Sequence, residues 1–254
     1  MKIYMISLKR DIERREQMQK KFPRYYPQFH IIDAVDAKDE SSAEIIQKYD
    51  KPCPHDKRRP LTKGEKCCAI SHLLALESFL QSGDERCIII EDDVIGSDDN
   101  FDEAIRIAAN LNHDGLFVLG GQQGLKNSKY LSGKRLEKYN LYCIANISKL
   151  FLLRTCCYSV GRSAAIQILD SQKQFLRRAD NWSAIMKTSS KIYYSNLLRH
   201  PTELFLSHLE TERHTKSFLH KALKDGALNI AKRNLLKVII SIQLFTGTTF
   251  KLPV

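Results

Sequence analysis

The sequence predicts an α/β fold: a sheet of buried strands with helices crossing over its faces. Three observations carry that prediction. Short apolar, β-branched runs alternate with helix-length stretches along most of the chain. The segment Cys87-Ile-Ile-Ile-Glu-Asp-Asp-Val94 is continuously apolar up to its acids, the pattern of a strand buried on both faces as in a parallel sheet. Leu116-Phe-Val-Leu119 repeats the idea and runs into Gly120-Gly121.

Taken in order, residues 3–8 read as a buried strand opening the fold, Asp11 to Phe22 as a helix stopped by Pro23, and Phe29 to Val35 as a second strand. Residues 51–63 hold three prolines among basic residues and read as a loop. Thr62-Lys-Gly-Glu65 is a capping-box pattern, in which a hydroxyl caps the helix start and the carboxylate three residues on returns the bond. The helix it opens is expected to reach Ser82, with Gly83 as its stop. The strand at 87–91 and the strand at 116–119 follow. Ligands of such sheets sit at the carboxyl ends of strands, where Glu91-Asp92-Asp93 and Gly120-Gly121 both fall. The polar block from Gln122 to Ser148 is expected to form loops.

The 254 residues, 43% hydrophobic, suffice for one large core, and eleven glycines with seven prolines exclude a fibrous or low-complexity chain. A net charge of +11 points to an anionic partner: nucleic acid, an acidic membrane or a phosphorylated substrate. Seven cysteines without a C-x-x-C argue against a disulfide framework and a thiolate zinc site, so reduced thiols are expected. The apolar stretch at the N-terminus is too short for a signal-peptide core, and no apolar run of about 18 residues suggests a spanning helix. A cytoplasmic location is the expectation.

The acidic triplet is the sharpest local feature. On a strand, Glu91 and Asp93 would share one face and Asp92 the other. Two hard oxygen ligands at a strand end suit Mg²⁺ or Mn²⁺, which leave coordination positions to water and substrate phosphates. Acids at strand ends also serve as solvated turn residues, a role that Glu91, abutting the apolar run, fits least.

These residues resemble glycosyltransferase family 25. Ile6-Ser-Leu-Lys-Arg-Asp-Ile-Glu-Arg-Arg15 is similar to its opening, Leu61-Thr-Lys-Gly-Glu-Lys-Cys-Cys-Ala-Ile-Ser-His72 to its second motif, and Ile90-Glu-Asp-Asp-Val94 to its metal-binding motif. Tyr158-Ser-Val-Gly-Arg-Ser-Ala-Ala-Ile166 resembles a fourth block, although Cys156 and Cys157 replace small residues expected just before it. The likeness covers roughly residues 1–210. It implies a GT-A-type, Rossmann-like mixed sheet flanked by helices, a UDP-sugar donor, inversion at the anomeric carbon, and acceptors ranging from bacterial lipooligosaccharide to animal collagen.

By that resemblance Asp93 is the direct metal ligand, Glu91 reaches the ribose or the metal, and Asp92 supports them. His208 is the candidate third ligand, with His214 in reserve. Asp180, in Arg178-Ala-Asp-Asn-Trp182, is the candidate catalytic base taking the acceptor proton; it reads equally as a helix N-cap. Trp182, the single tryptophan, either stacks on a sugar or packs in the core. The resemblance places uracil and ribose at Ser7, Leu8, Arg10 and Arg14 after the first strand and at Asp33-Ala34-Val35-Asp36 after the second. Ser71 and His72 line the donor site or lock their helix to the sheet. Gly120 and Gly121 allow close backbone approach to a ligand or make a turn.

From Arg213 to Val254 eight basic residues face one acid, Asp225, so seven of the eleven net charges lie in this tail. Leu219, Leu223, Ala227, Ile230, Leu235, Val238, Ile242 and Phe245 recur at helical spacing, the pattern of one or two basic amphipathic helices suited to anionic lipid. The expected organisation is therefore a catalytic domain, 1–212, and a basic helical tail, 213–254, touching the inner membrane through residues 213–245. The expected enzyme is a hexosyltransferase using Mn²⁺ or Mg²⁺ on a glycolipid acceptor. Two other readings are a nucleic-acid-binding protein, which explains the charge but not the acids, and a metal-dependent phosphohydrolase with Asp98-Asp99 as second acid cluster. No nucleic-acid motif is evident.

Overall fold

β1 (Lys2–Ser7), β2 (Phe29–Asp33), β3 (Arg86–Glu91), β4 (Leu116–Gly120), β5 (Ser132–Leu136), β6 (Leu141–Ile144), β7 (Cys157–Gly161), β8 (Ile192–Leu198) and β9 (Phe250–Lys251) form one sheet in a computed structural model. It describes residues 1–51, 60–111, 115–136, 139–201, 227–247 and 249–253. Among the described residues the strand order is β2-β1-β3-β7-β4-β8-β6-β5-β9. β2, β1 and β3 run parallel, as do β4 and β8; β7, β6, β5 and β9 pair antiparallel with their neighbours. The sheet is therefore mixed, the Rossmann-like α/β architecture expected from the motifs.

Alternation along the strands builds two cores. Ile3, Met5, Ile88, Ile90, Phe117 and Leu119 pack with Met18 of α1 (Ile12–Lys21) and with Phe101, Ala104 and Ile107 of α4 (Asp98–Ala109). Tyr4, Ile6, Ile89, Val118, Tyr158 and Val160 point the other way, onto α3 (Lys63–Gln81) and α5 (Arg162–Gln174). A short α2 (Ser42–Tyr49) packs beside α3. α3 begins with the expected capping box: the Glu65 amide donates to Thr62 Oγ1 at 3.2 Å, and the Thr62 amide to Glu65 Oε2 at 3.0 Å. It stops at Gln81, two residues before Gly83, whose φ is +80°.

β3 and β4 run the same way but are not neighbours, because β7 lies antiparallel between them. One local expectation changes. The block 122–148 is not loop throughout. It contains the antiparallel pair β5–β6, whose Leu141 and Ile144 are buried while Lys134 and Arg135 are exposed. The polar content that suggested loops is the solvent side of strands near a sheet edge.

The described part of the tail joins the same sheet. α7 (Ala227–Phe245) lies over the 3₁₀ turns at Ser128–Tyr130 and Asn146–Phe151, with Ile240 fully buried. β9 then pairs with β5, and the Leu252 amide donates to the Leu131 carbonyl at 3.0 Å. No helix among the described residues is long and apolar enough to cross a membrane.

Gly120 sits at a register shift between β4 and β8 with φ +142°, and a Cβ there would fall on the Leu198 carbonyl oxygen. Gly120→Ala is expected to cost about 3 kcal/mol through backbone strain and overpacking, measured as a lower urea midpoint with an unchanged m-value. A midpoint within error of the parent would show that β4 and β8 do not approach this closely.

Candidate active site

The carboxyl ends of β1, β2, β3, β4 and β8 lie at one end of the sheet, and the segment entering antiparallel β7 arrives there too. The acid triplet occupies the middle. β3 ends at Glu91, and a turn begins, closed by a Val94 amide that donates to the Glu91 carbonyl at 3.4 Å. Strand alternation therefore stops one residue before Asp92, and Asp93 does not share a set of partners with Glu91 as a continued strand would have it.

Glu91 faces α3. Its Oε1 meets His72 Nε2 at 3.2 Å and accepts the Thr155 hydroxyl at 2.8 Å, while the other His72 nitrogen contacts the Tyr158 hydroxyl at 3.1 Å. Burial alone would raise this carboxyl, but the bond and charge of His72 and the bond from Thr155 outweigh it and hold Glu91 below the usual carboxylate range. Asp92 faces α1: Arg14 Nη1 donates to its Oδ1 at 2.9 Å. Burial nevertheless keeps the Asp92 carboxyl raised, against the opposing pull of Ser7 and Arg14. Asp93 Oδ2 has Arg14 at 3.8 Å and His200 Nε2 at 3.6 Å, and its buried Oδ1 has no hydrogen-bond partner. Burial, and then the charge of Glu91, push the Asp93 carboxyl up to about 6.

His200 is two residues past β8, at the same end of the sheet as the acids. Its Nδ1 lies 2.7 Å from the Pro201 carbonyl, which can only accept, so Nδ1 carries a proton and Nε2 is the ring nitrogen turned toward Asp93. His208 and His214, the sequence candidates, lie outside the described residues. His200 carried a findable signal, a histidine just beyond a buried strand. Cys68, His72 and Glu91 also place ligand atoms within 4.8 Å of one another; this set has a soft sulfur, whereas Asp93 offers the hard oxygen that Mg²⁺ and Mn²⁺ prefer.

The first-strand residues divide. Ser7 is buried, and Arg15 ties it down, donating to Ser7 Oγ at 3.0 Å, to the Ser7 and Leu8 carbonyls at 3.2 Å and to Asp33 at 3.2 Å. The Ala34 amide donates to the Ser7 carbonyl at 2.9 Å. Leu8, Asp33 and Ala34 therefore stand at the rim beside the acids, and Arg10 pairs with Asp36. Ser71 is fully engaged inside the fold, accepting from the Val35 amide at 2.9 Å and donating to the Cys67 carbonyl at 2.7 Å. Its position is that of a lock between α3 and the loop after β2. Lys21, two turns along α1 from Arg14, was not anticipated; its ammonium donates to the Val94 carbonyl at 3.3 Å.

Asp180 precedes the short α6 (Trp182–Ile185), but Asn181 holds the N-cap position and makes no side-chain cap bond. Asp180 Oδ2 instead accepts the Arg154 amide at 3.3 Å. Arg154 has φ +63°, and its guanidinium donates to the carbonyls of Gly121 and Gln123 at 2.6 and 2.8 Å. Trp182 is in the core, edge-on to Tyr158, with its indole donating to the Arg154 carbonyl at 3.1 Å. Gly121 (φ +78°) leaves room for the Cys156 sulfur, and Gly120 for the Leu198 backbone, so both glycines serve contacts within the chain. No motif marked Arg154. Asp98 and Asp99, the proposed second acid cluster, are engaged by Arg24 at 3.4 and 3.1 Å.

Because the folded state holds Asp93 protonated above its unfolded value of about 3.9, it binds more protons than the unfolded chain between about pH 4 and 6. Metal-free protein should lose stability as pH rises through that window. Asp93→Asn is expected to flatten the loss and raise the melting temperature at pH 7 in EDTA. An identical pH profile for parent and variant would place the titrating charge elsewhere.

Comparison with known proteins completes the description. Residues 1–182 match the family model described as glycosyltransferase family 25 (LPS biosynthesis protein). A lipooligosaccharide biosynthesis protein, lic2B, of Haemophilus influenzae is 34% identical over 92 residues, covering 36% of this chain and 33% of that one. Procollagen galactosyltransferase 2 of Mus musculus is 32% identical over 99 residues, 36% of this chain but 15% of the mouse protein. The matched region thus spans a third or less of these relatives. With the family model covering well over half of the sequence, and its acids, helix-borne histidine and strand-end glycines brought to one end of the sheet, the chain belongs to glycosyltransferase family 25.

Proposed function

We propose that the protein is an inverting, metal-dependent hexosyltransferase that moves galactose or glucose from a UDP-sugar to a lipooligosaccharide acceptor at the cytoplasmic face of a bacterial inner membrane. The observation that carries this is Asp93: a half-buried carboxylate with one buried, unpartnered oxygen, beside a histidine ring nitrogen, in a chain of this family. Burying such a group without a partner is costly, and a divalent cation supplies one. Asp93 and His200 would hold it, with Glu91 close by. When bound, Mn²⁺ or Mg²⁺ offsets the negative charge that develops on the departing nucleoside diphosphate.

The chain's own groups account for the remaining work. Arg14 and Lys21 place positive charge at the same strand ends, where diphosphate oxygens would lie. His72 and Thr155 keep Glu91 ionised and oriented for a donor hydroxyl. Leu8, Asp33 and Ala34 form the rim that would receive uracil and ribose, and the buried Ser7 holds that rim in place through Arg15. Asp180 takes the proton of the acceptor hydroxyl as that oxygen bonds to the anomeric carbon and the bond to the diphosphate breaks. Its hold on Arg154 fixes the carboxylate in place.

The test is thermal stability with UDP, UDP-galactose and UDP-glucose, with and without Mn²⁺. A hundredfold excess of ligand over its dissociation constant adds about 2.7 kcal/mol, and that increment is expected to need Mn²⁺ and to vanish in Asp93→Ala and His200→Ala. Asp180→Asn retains an oxygen for the Arg154 amide, so it should bind donor normally while transfer falls about 10²–10⁴-fold. Stabilisation by nucleic acid with no nucleotide response would overturn the reading, and near-normal transfer by Asp180→Asn would move the base elsewhere.

A further inference from the structure

α7 has two apolar stripes on opposite sides. Leu236, Ile240 and Leu244, at i, i+4 and i+8, turn toward the body, where Ile240 is fully buried. Leu235, Val238, Ile242 and Phe245, at i, i+3, i+7 and i+10, lie on the far side. Phe245 is 93% exposed and the other three are each more than half exposed. A groove of about 350 Å³, lined by Tyr130, Lys237, Val238, Ser241, Ile242 and Phe245, runs along one flank of the outer stripe. Four large apolar side chains in a row on one helix face are a patch that water alone does not favour.

The charge around the stripe selects its occupant. Lys232, Arg233 and Lys237 on α7, Lys251 on β9, and Lys126, Lys129, Lys134 and Arg135 on the segments that pack beside them are all basic. The described residues 115–136, 139–151, 227–247 and 249–253 include no acidic residue. A second copy of the chain set against the stripe would bring like charge toward like charge. An anionic bilayer meets both requirements at once: the apolar stripe enters the boundary between headgroups and acyl chains while the surrounding lysines and arginines meet phosphates. We infer that the outer face of α7, residues Leu235, Val238, Ile242 and Phe245 with their basic surround, is a docking surface for anionic phospholipid membrane.

This deepens the membrane location given above and rests on it only for the acceptor; the surface is tested without donor or acceptor. The full-length protein is floated with vesicles of phosphatidylcholine, or of phosphatidylcholine with 30% phosphatidylglycerol, at 0.1 and 0.5 M NaCl. Binding is expected only to the anionic vesicles and is expected to weaken at high salt. Ile242→Glu/Phe245→Glu should lower partitioning at least about tenfold with an unchanged melting temperature, since both side chains face solvent. Lys232→Glu/Arg233→Glu should lower it similarly while leaving the stripe intact. Failure of the parent to float, or unchanged flotation of both variants, would overturn the inference. So would a dimer in analytical ultracentrifugation that Ile242→Glu/Phe245→Glu converts to monomer, because a second copy would then cover the stripe. In each of these cases the UDP-sugar and Mn²⁺ response tests the catalytic reading separately.

Discussion

The antiparallel passage of β7 between β3 and β4 is the constraint on which the site depends. In a wholly parallel sheet, the chain entering each strand would arrive at the far end from the acids. Because β7 runs the other way, the segment 153–156 comes in over the carboxyl ends of β3 and β4. There the Glu91 amide donates to the Cys156 carbonyl at 2.8 Å and Thr155 bonds the Glu91 carboxylate. The same entry path forces Arg154 into a left-handed conformation costing about 1–2 kcal/mol. Bonds from Trp182 and to Asp180, Gly121 and Gln123 offset that cost. Asp180 is thereby coupled to the glycine turn after β4 through one residue, whose amide it accepts and whose guanidinium reaches the turn, although the two are far apart in sequence.

Electrostatics then differentiates three adjacent acids. Three ionised carboxylates at one strand end would repel, and burial would penalise each of them. The fold gives them unequal company: a histidine and a hydroxyl for Glu91, an arginine for Asp92, and for Asp93 only more distant positive charge. The result is one carboxyl held low and two raised, and of the raised pair only Asp92 has an arginine hydrogen bond, which leaves Asp93 the member most improved by an added cation. Its orphaned oxygen and raised carboxyl express the same imbalance in geometry and in protonation.

The sequence made the scaffold legible where physics is local. The capping box at Thr62, the apolar runs of β1 and β3 and the stop near Gly83 are each determined within a few residues, and each stands where its pattern placed it. The shared end of the sheet at which the acids and glycines stand was legible because strand-end position follows from the strands. What was not legible depended on pairing across the chain. Nothing in Cys157-Tyr-Ser-Val-Gly161 states that it runs antiparallel between two other strands. Nothing in Leu153-Arg-Thr-Cys156 announces that Arg154 adopts positive φ or that Thr155 touches Glu91. β5 and β6 were concealed because near-edge strands carry lysine and arginine on their solvent side. His200 was within reach of the strand-end rule, whereas Ser71 and Trp182 show the rule's converse: suggestive residues inside a motif whose bonds turn out to hold the fold together.

The tail illustrates how one element serves two requirements. A sheet ending at β5 would present unpaired amides and carbonyls, a template for aggregation. β9 covers part of that edge with two residues, and so short a strand needs an anchor on each side. Leu252 supplies one by inserting into the core, and the inner stripe of α7 supplies the other through Ile240. A 19-residue helix is only marginally stable by itself in water, so packing of that inner stripe is what fixes its rotation about its own axis. Once the inner stripe is fixed, the direction of Leu235, Val238, Ile242 and Phe245 is fixed as well. The burial that closes the sheet edge thus also aims the opposite, exposed face, and substitutions on that outer face can change what it binds without loosening the strand the helix secures.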